Sequence, residues 1–165
     1  MATYSVRLAG PEDAEAIRRI YNVEVAESTS TFDLVARTPE AQEEWMREHA
    51  GAYAALVAVD GDGVVAGFAS LSPYKTRPGY STTVEDSVYV DAVLRGQGVG
   101  RLLLAEIVAL AETSGFHAVM ARISGAQDAS RALHRACGFE LIGVEREVGR
   151  KFGRWLDVAL MQRLL

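Results

Sequence analysis

The sequence predicts a mixed α/β layer fold (α+β), not a doubly wound parallel one, and three features carry that prediction. Hydrophobic patterning over the 165 residues gives the element order βααβββαβαββ. Two apolar runs flank Asp60-Gly61-Asp62-Gly63, the pattern of an antiparallel hairpin. The segment RLLLAEIVALAETS, Arg101 to Ser114, is apolar around most of its circumference, as a helix packed deeply on a sheet would be.

Taken in order, Ser5 to Ala9 alternates Val6 and Leu8 with polar neighbours and reads as a short strand. Pro11-Glu12-Asp13 opens a helix with an early proline and acids in its first turn. Ala14, Ile17, Ile20, Tyr21 and Val25 give that helix one apolar face. The run Glu27 to Thr31 is rich in hydroxyl side chains and ends it in a loop. Thr38-Pro39-Glu40 starts a second helix, anchored by Trp45 and running to about Ala50. Tyr53 to Val59 and Val64 to Leu71 form the hairpin strands. Ser72 to Thr82, with two prolines and Gly79, is a loop, and Thr83 to Val90 (TVEDSVYV) is a strand. After the Arg101–Ser114 helix come a strand from His117 to Ile123 and a helix from Asp128 to Cys137. Gly138 stands where a helix C-terminal glycine belongs. Phe139 to Glu147 and Leu156 to Leu165 close the sheet, around a turn that holds Trp155.

Composition narrows the function classes. No linker, low-complexity tract or repeat interrupts the chain, so residues 1–165 are expected to form a single domain. Net charge is −5, from 17 Lys+Arg against 22 Asp+Glu, and no stripe alternates aromatic and basic residues; a nucleic-acid or anionic-membrane surface is not expected. One cysteine excludes a disulfide framework, and no Cys or His cluster has zinc spacing, so no metal is expected. No apolar run approaches the ~20 residues of a membrane span, and the N-terminus lacks a signal-peptide layout. A cytoplasmic protein is the resulting expectation.

Three of the 15 glycines, Gly96, Gly98 and Gly100, alternate in LRGQGVGRLLL, between the TVEDSVYV strand and the most apolar helix. Glycines there let a backbone approach a ligand, and helix N-terminal amides attract phosphate oxygens. Arg95 and Arg101 add positive charge at both ends. A Walker loop needs Lys-Ser/Thr after its last glycine, whereas Arg101-Leu102 follows here. A dinucleotide fingerprint wants G-x-G-x-x-G early in a βαβ unit, whereas this G-x-G-x-G lies midway. Read without a ligand, the same residues make a tight strand-to-helix turn.

Arg95-Gly96-Gln97-Gly98-Val99-Gly100 resembles the acetyl-CoA signature of the GNAT N-acetyltransferase superfamily. YNVEVAESTSTF (Tyr21 to Phe32), TVEDSVYV, SRALHRACGF (Ser130 to Phe139) and VGRKFGRWLDVALMQ (Val148 to Gln162) are similar to blocks of its phosphinothricin and methionine sulfone acetyltransferase branch. The similarity is collinear over nearly the whole chain. It implies the GNAT fold, a mixed, mostly antiparallel central sheet with splayed central strands and flanking helices. It implies acetyl-CoA as co-substrate, with pantetheine paired to Val88, Tyr89 and Val90 like an added strand, and pyrophosphate on the amides from Gly96 to Arg101. Where the family has a cofactor-touching asparagine, this chain has Gln127, one methylene longer. The family also implies a homodimer.

Acetyl transfer to an ammonium needs a base. Glu85 matches the family's glutamate base; on its own it reads as an exposed strand carboxylate. Alternation puts Asp86 on the opposite face, so at most one of the two is expected at the site. The N–H near Val90 would hold the developing oxyanion. His134 stands where many GNAT enzymes carry the acid that protonates the leaving thiolate, although a lone helix histidine also reads as structural. Cys137 has no His/Asp arrangement beside it, so no covalent acetyl-cysteine is expected.

For the acceptor, Lys75, Arg77 and Tyr80 match the family's substrate contacts and suit an amino acid with an anionic or strongly polar group. Without the family they are a solvated basic loop. Phe32 matches a pocket wall; read alone it is a core aromatic. Arg150, Lys151 and Arg154 form a second cationic cluster in the closing hairpin. The implied reaction is N-acetylation of a small amino acid such as phosphinothricin, methionine sulfone or methionine sulfoximine. The alternatives are acetylation of a protein N-terminus or polyamine, and a silent acyl-CoA sensor.

Overall fold

A computed structural model describes residues 3–165. The elements are β1 (Ser5–Leu8), α1 (Ala14–Glu27), α2 (Pro39–Glu48), β2 (Ala55–Val59), β3 (Val65–Pro73), β4 (Thr83–Val90), α3 (Val99–Thr113), β5 (Ala118–Ser124), α4 (Asp128–Ala136), β6 (Glu140–Lys151) and β7 (Arg154–Leu164). This is the order read from the sequence. Local chemistry explains several ends. The Thr38 hydroxyl accepts from the Ala41 N–H at 3.1 Å, capping α2 ahead of Pro39 at its first turn. Asp60 Oδ1 accepts from the N–H groups of Asp62 and Val64, which closes the β2–β3 turn.

The seven strands lie in the order β1-β2-β3-β4-β5-β7-β6. Every neighbouring pair is antiparallel except β4 and β5. The helices divide between the two faces. On one, α3 buries Leu103, Leu104, Ile107, Val108 and Ala111 against Ala58, Ala69, Leu71, Val84 and Val119. On the other, Ile17, Ile20, Tyr21 and Val25 of α1 pack on Val57, Val59, Val65 and Phe68. Each fully buried Leu or Ile contributes roughly 1.5–3 kcal/mol, which makes these stripes the main support of the layers. β2 is buried along its whole length, which is why it reads as a continuous apolar run.

The closing hairpin is longer than the sequence suggests. β6 continues to Lys151 and β7 begins at Arg154, leaving a two-residue turn at Phe152-Gly153 with φ of 52° and 73°. Both values are positive, as the tight primed hairpin turns require, but phenylalanine is not a residue that announces such a turn.

Among the glycines of the sheet, Gly67 on β3 meets the closest neighbouring backbone. A Cβ there would lie 2.7 Å from the Tyr89 carbonyl oxygen and 3.1 Å from Leu103 Cδ1. Leu103 of α3 crowds the same point, so relief would need a shift of β4 itself toward its unpaired side. Gly67→Ala is therefore expected to destabilise the protein by about 1–3 kcal/mol, read as a lower denaturant midpoint. An unchanged midpoint would show that the sheet can part at this point.

Candidate active site

The sheet opens between β4 and β5. Their parallel pairing runs only through Thr83↔Ala118, Val84↔Val119 and Glu85↔Met120, although β4 continues to Val90 and β5 to Ser124. The strands splay beyond Glu85, leaving a cavity of about 740 Å³ that passes through the sheet. Asp91 donates its N–H to Ala66 of the β3 side, so strand alternation turns the N–H and C=O groups of Val88 and Val90 toward the gap. An unpaired strand edge inside a cleft is a ready partner for an extended amide-bearing ligand.

Glu85 lies where the splay begins, and it lines the cleft. Burial pushes its carboxyl from an ordinary 4.5 up to about 7; Arg122 pulls the other way, while Asp86 and Glu145 push further up. The carboxyl is thus balanced between its acid and base forms near neutral pH, the condition for proton transfer.

Asp86 faces the α3/α4 layer, as alternation requires, yet it lines the cleft as well, because the gap cuts through the sheet and exposes both sides of β4. The expectation that at most one of the two carboxylates would reach the site is corrected: both line the cleft. Asp86 Oδ2 accepts from His134 Nε2 at 2.9 Å, with side chains only 1% and 6% exposed. His134 Nδ1 lies 2.8 Å from the Ser130 carbonyl, so the imidazolium form donates at both nitrogens. Burial alone would lower the His134 pKa, but the Asp86 hydrogen bond and charge and the Ser130 carbonyl raise it on balance. His134 borders the cleft with no N–H left free to aim into it.

Gly98 is the N-cap of α3, with φ +87°, and Gly96 has φ +77°. A Cβ on Gly100 would press to 3.2 Å from Leu133. The glycines of the loop therefore answer two needs, left-handed backbone at the first two and close helix packing at the third. Arg95, Gly96, Gly98, Val99, Gly100 and Arg101 all line the cleft, and so do Val88, Tyr89, Val90 and Gln127. Gln97 does not; its side-chain oxygen accepts from the Tyr4 hydroxyl at 3.1 Å. Arg95 is ion-paired with Glu24 of α1, a carboxylate that also accepts from Ser28 and Ser30. Gln127 Nε2 reaches only Thr29 Oγ1, at 3.4 Å.

On the α1 side, Ser30, Thr31 and Phe32 form one wall. Gly149 on β6 makes room for Phe32: a Cβ there would overlap the ring at 2.2 Å. Lys151 turns inward from the hairpin and donates to the Thr31 and Glu24 carbonyls at 2.9 and 3.3 Å, tying the wall to β6. Of the three clustered cations in that hairpin it alone is buried. Lys75, Arg77 and Tyr80 are not among the lining residues. The Lys75 ammonium lies 4.9 Å from each of the Tyr74 and Tyr80 rings, which hold it within its own loop ahead of β4. Sequence reasoning missed Glu24, Asp86 and Arg122 as cleft residues, and only the register of β4 against β5 could have found the last two. Among the described residues no three His, Cys, Asp or Glu side chains are grouped to hold a metal ion, and no helix is long and apolar enough to cross a membrane.

A splayed mixed sheet with a glycine-rich loop at the mouth of its gap defines a class of acyl-transfer folds, and the comparisons agree. The Acetyltransferase (GNAT) family profile matches residues 15–139. The chain is 39% identical to a phosphinothricin N-acetyltransferase of Streptomyces coelicolor over 99% of its own length and 98% of that protein. It is 39% identical to an L-methionine sulfoximine/L-methionine sulfone acetyltransferase of Pseudomonas aeruginosa, over 96% of this chain and 92% of that one. Its fold superposes with a TM-score of 0.94 on a phosphinothricin acetyltransferase from Sinorhizobium meliloti solved in complex with acetyl-CoA, at 38% identity over 99% of this chain and 89% of that chain. The chain belongs to the GNAT acetyltransferase family.

Proposed function

We propose that the protein moves the acetyl group of acetyl-CoA to the α-amine of a small amino acid of the phosphinothricin, methionine sulfone or methionine sulfoximine type, by direct transfer in a ternary complex. The observation that carries this is Glu85, at the apex of the β4/β5 gap with its carboxyl pushed up to about 7. Near neutral pH a large share of such a group is carboxylate, able to take a proton from the acceptor ammonium directly or through one water.

Acetyl-CoA supplies an activated acetyl group, and the cleft suits it: an unpaired β4 edge stands beside a loop whose first two glycines hold positive φ. Val88, Tyr89 and Val90 would pair with the pantetheine amides, and the amides from Gly96 through Gln97, Gly98, Val99 and Gly100 to Arg101 would hold the pyrophosphate. Arg95 would shift from Glu24 to reach the same phosphates, and Gln127 would extend from Thr29 toward the cofactor. The Val90 N–H, turned into the gap, is the donor for the thioester oxygen as charge develops on it. His134 positions Asp86; acting as the acid for the leaving thiolate would require it to release Ser130 or Asp86. Phe32 walls the acceptor end, and Lys75, Arg77 and Tyr80 act as outer contacts from the loop ahead of β4.

In this reading residues 1–165 work as one cytoplasmic domain within a homodimer. Leu141, Ile142 and Val144, 50%, 52% and 46% exposed on the edge strand β6, support pairing with a second copy.

Initial rates test the proposal. Acetyl-CoA mixed with methionine sulfone or phosphinothricin should release free thiol, with intersecting double-reciprocal lines as both substrates vary. Parallel lines would contradict direct transfer. Thiol release with a polyamine or a peptide N-terminus but with none of the amino acids would overturn the substrate class, and tight CoA binding with no acceptor turned over would indicate a sensor.

A further inference from the structure

We propose that Arg122 is the residue that recognises the acceptor's carboxylate, and so selects α-amino acids over amines that lack one. This rests on the amino-acid acetyltransferase reading above. In the β4–β5 register Glu85 stands opposite Met120, and Arg122 is two residues further along β5, on the same face and past the point where the strands part. Two residues of strand advance roughly 7 Å, so the base and the guanidinium border the same end of the cleft from opposite strands. Arg122 lines that cleft, and its charge already acts on the Glu85 carboxyl. An α-amino acid carries its ammonium and carboxylate on one carbon. The ammonium set at Glu85 brings the carboxylate toward Arg122.

The other cations near the cleft are paired elsewhere or, like Lys75 and Arg77 of the loop ahead of β4, lie outside its lining. Arg95 is paired with Glu24, Lys151 is buried against two carbonyls, and Lys75 lies between two tyrosines. Arg101 belongs to the glycine loop at the far end of β4. Arg122 Nη2 instead donates to Glu145 at 2.9 Å, in a pair whose side chains are 39% and 36% exposed. A half-exposed pair of this kind is weak and readily exchanged. Replacing Glu145 by the acceptor's carboxylate keeps the guanidinium neutralised, and a desolvated fork-to-carboxylate contact is stronger than the one given up.

The test compares methionine sulfone with its carboxamide as acceptors in wild type, Arg122→Gln, Arg122→Lys and Glu145→Gln, with the KM for acetyl-CoA measured alongside. Wild type should favour the acid over the amide. With each variant read on its own high-pH plateau, because losing the Arg122 charge moves the Glu85 limb upward, Arg122→Gln should raise KM for the acid about ten- to a hundredfold and leave the amide and acetyl-CoA within about twofold, so that the preference collapses. Arg122→Lys should restore part of it, since a point charge replaces the fork. Glu145→Gln should hold or strengthen the preference. Retention of the wild-type preference in Arg122→Gln, or an equal loss on acid and amide, overturns the assignment to Arg122 alone. Wild type that acetylates acid and amide equally well also overturns it, because no carboxylate is then recognised. Wild type that acetylates neither removes the underlying amino-acid reading and this inference with it.

Discussion

Glu85→Gln should lower kcat by about a hundred- to ten-thousandfold at neutral pH while the acetyl-CoA Kd stays within about twofold. Glutamine keeps the shape of the side chain and loses the proton acceptor, and the cofactor surface from Val88 to Arg101 does not include position 85. The wild-type kcat/KM should rise with pH and level off above about 7, as the Glu85 carboxyl ionises. The variant should lack that limb. A stability signature accompanies it. The folded-state value lies above the ordinary 4.5, so the neutral carboxyl favours the fold below that pH, and this contribution is lost as pH rises through about 7. Glu85→Gln should therefore match wild type at pH 4 and exceed it by about 1–3 kcal/mol at pH 8. A more stable, inactive variant is the expected trade at a catalytic carboxyl. Full turnover in Glu85→Gln would remove it as the base.

Asp86→Ala should cause the largest loss of stability, about 3–5 kcal/mol, against a total of roughly 5–15 kcal/mol for a domain. The reason is the imidazolium of His134 left buried beneath the cleft without its counterion. Because the folded His134 pKa is raised above the ordinary 6.5, the pair stabilises fully below pH 6.5 and fades as pH climbs through the raised value. The deficit of Asp86→Ala should accordingly be greatest at pH 6 and shrink toward pH 9. Chemical denaturation at the two pH values measures it. Asp86→Asn keeps an acceptor toward Nε2 and should lose less. It also removes a charge that pushes Glu85 up, so its kcat/KM limb should move to lower pH. An equal deficit at both pH values would show that the His134–Asp86 contact does not carry a charge.

Much of the fold was legible because each element carried its own local signal. The β2–β3 turn, the Thr38 cap and the apolar circumference of α3 are decided within a few neighbouring residues. The glycine loop was legible for the same reason. The site beyond it was not, because its parts meet across long stretches of chain. Asp86 and His134 are 48 residues apart, and Glu24 and Arg95 are 71 apart; nothing in either local pattern requires the pairing. Strand alternation placed Glu85 and Asp86 on opposite faces correctly, but it carried no sign that the sheet opens there and exposes both. Lys151 read only as one of three clustered cations, whereas its ammonium is sealed against the Thr31 and Glu24 carbonyls. The closing hairpin turn was legible, but not its tightening to Phe152-Gly153, because phenylalanine adopts positive φ there without a sequence cue.

In the proposed reaction the β4/β5 gap brings the acetyl donor and an amino-acid amine together at Glu85. A crystal structure of the Glu85→Gln variant with acetyl-CoA and methionine sulfone bound tests it most directly. The thioester should lie at the splay with its oxygen toward the Val90 N–H, and the acceptor nitrogen within hydrogen-bond reach of the position 85 side chain, directly or through one water. An acceptor seated elsewhere, with its nitrogen out of reach of position 85 by either route, would contradict it.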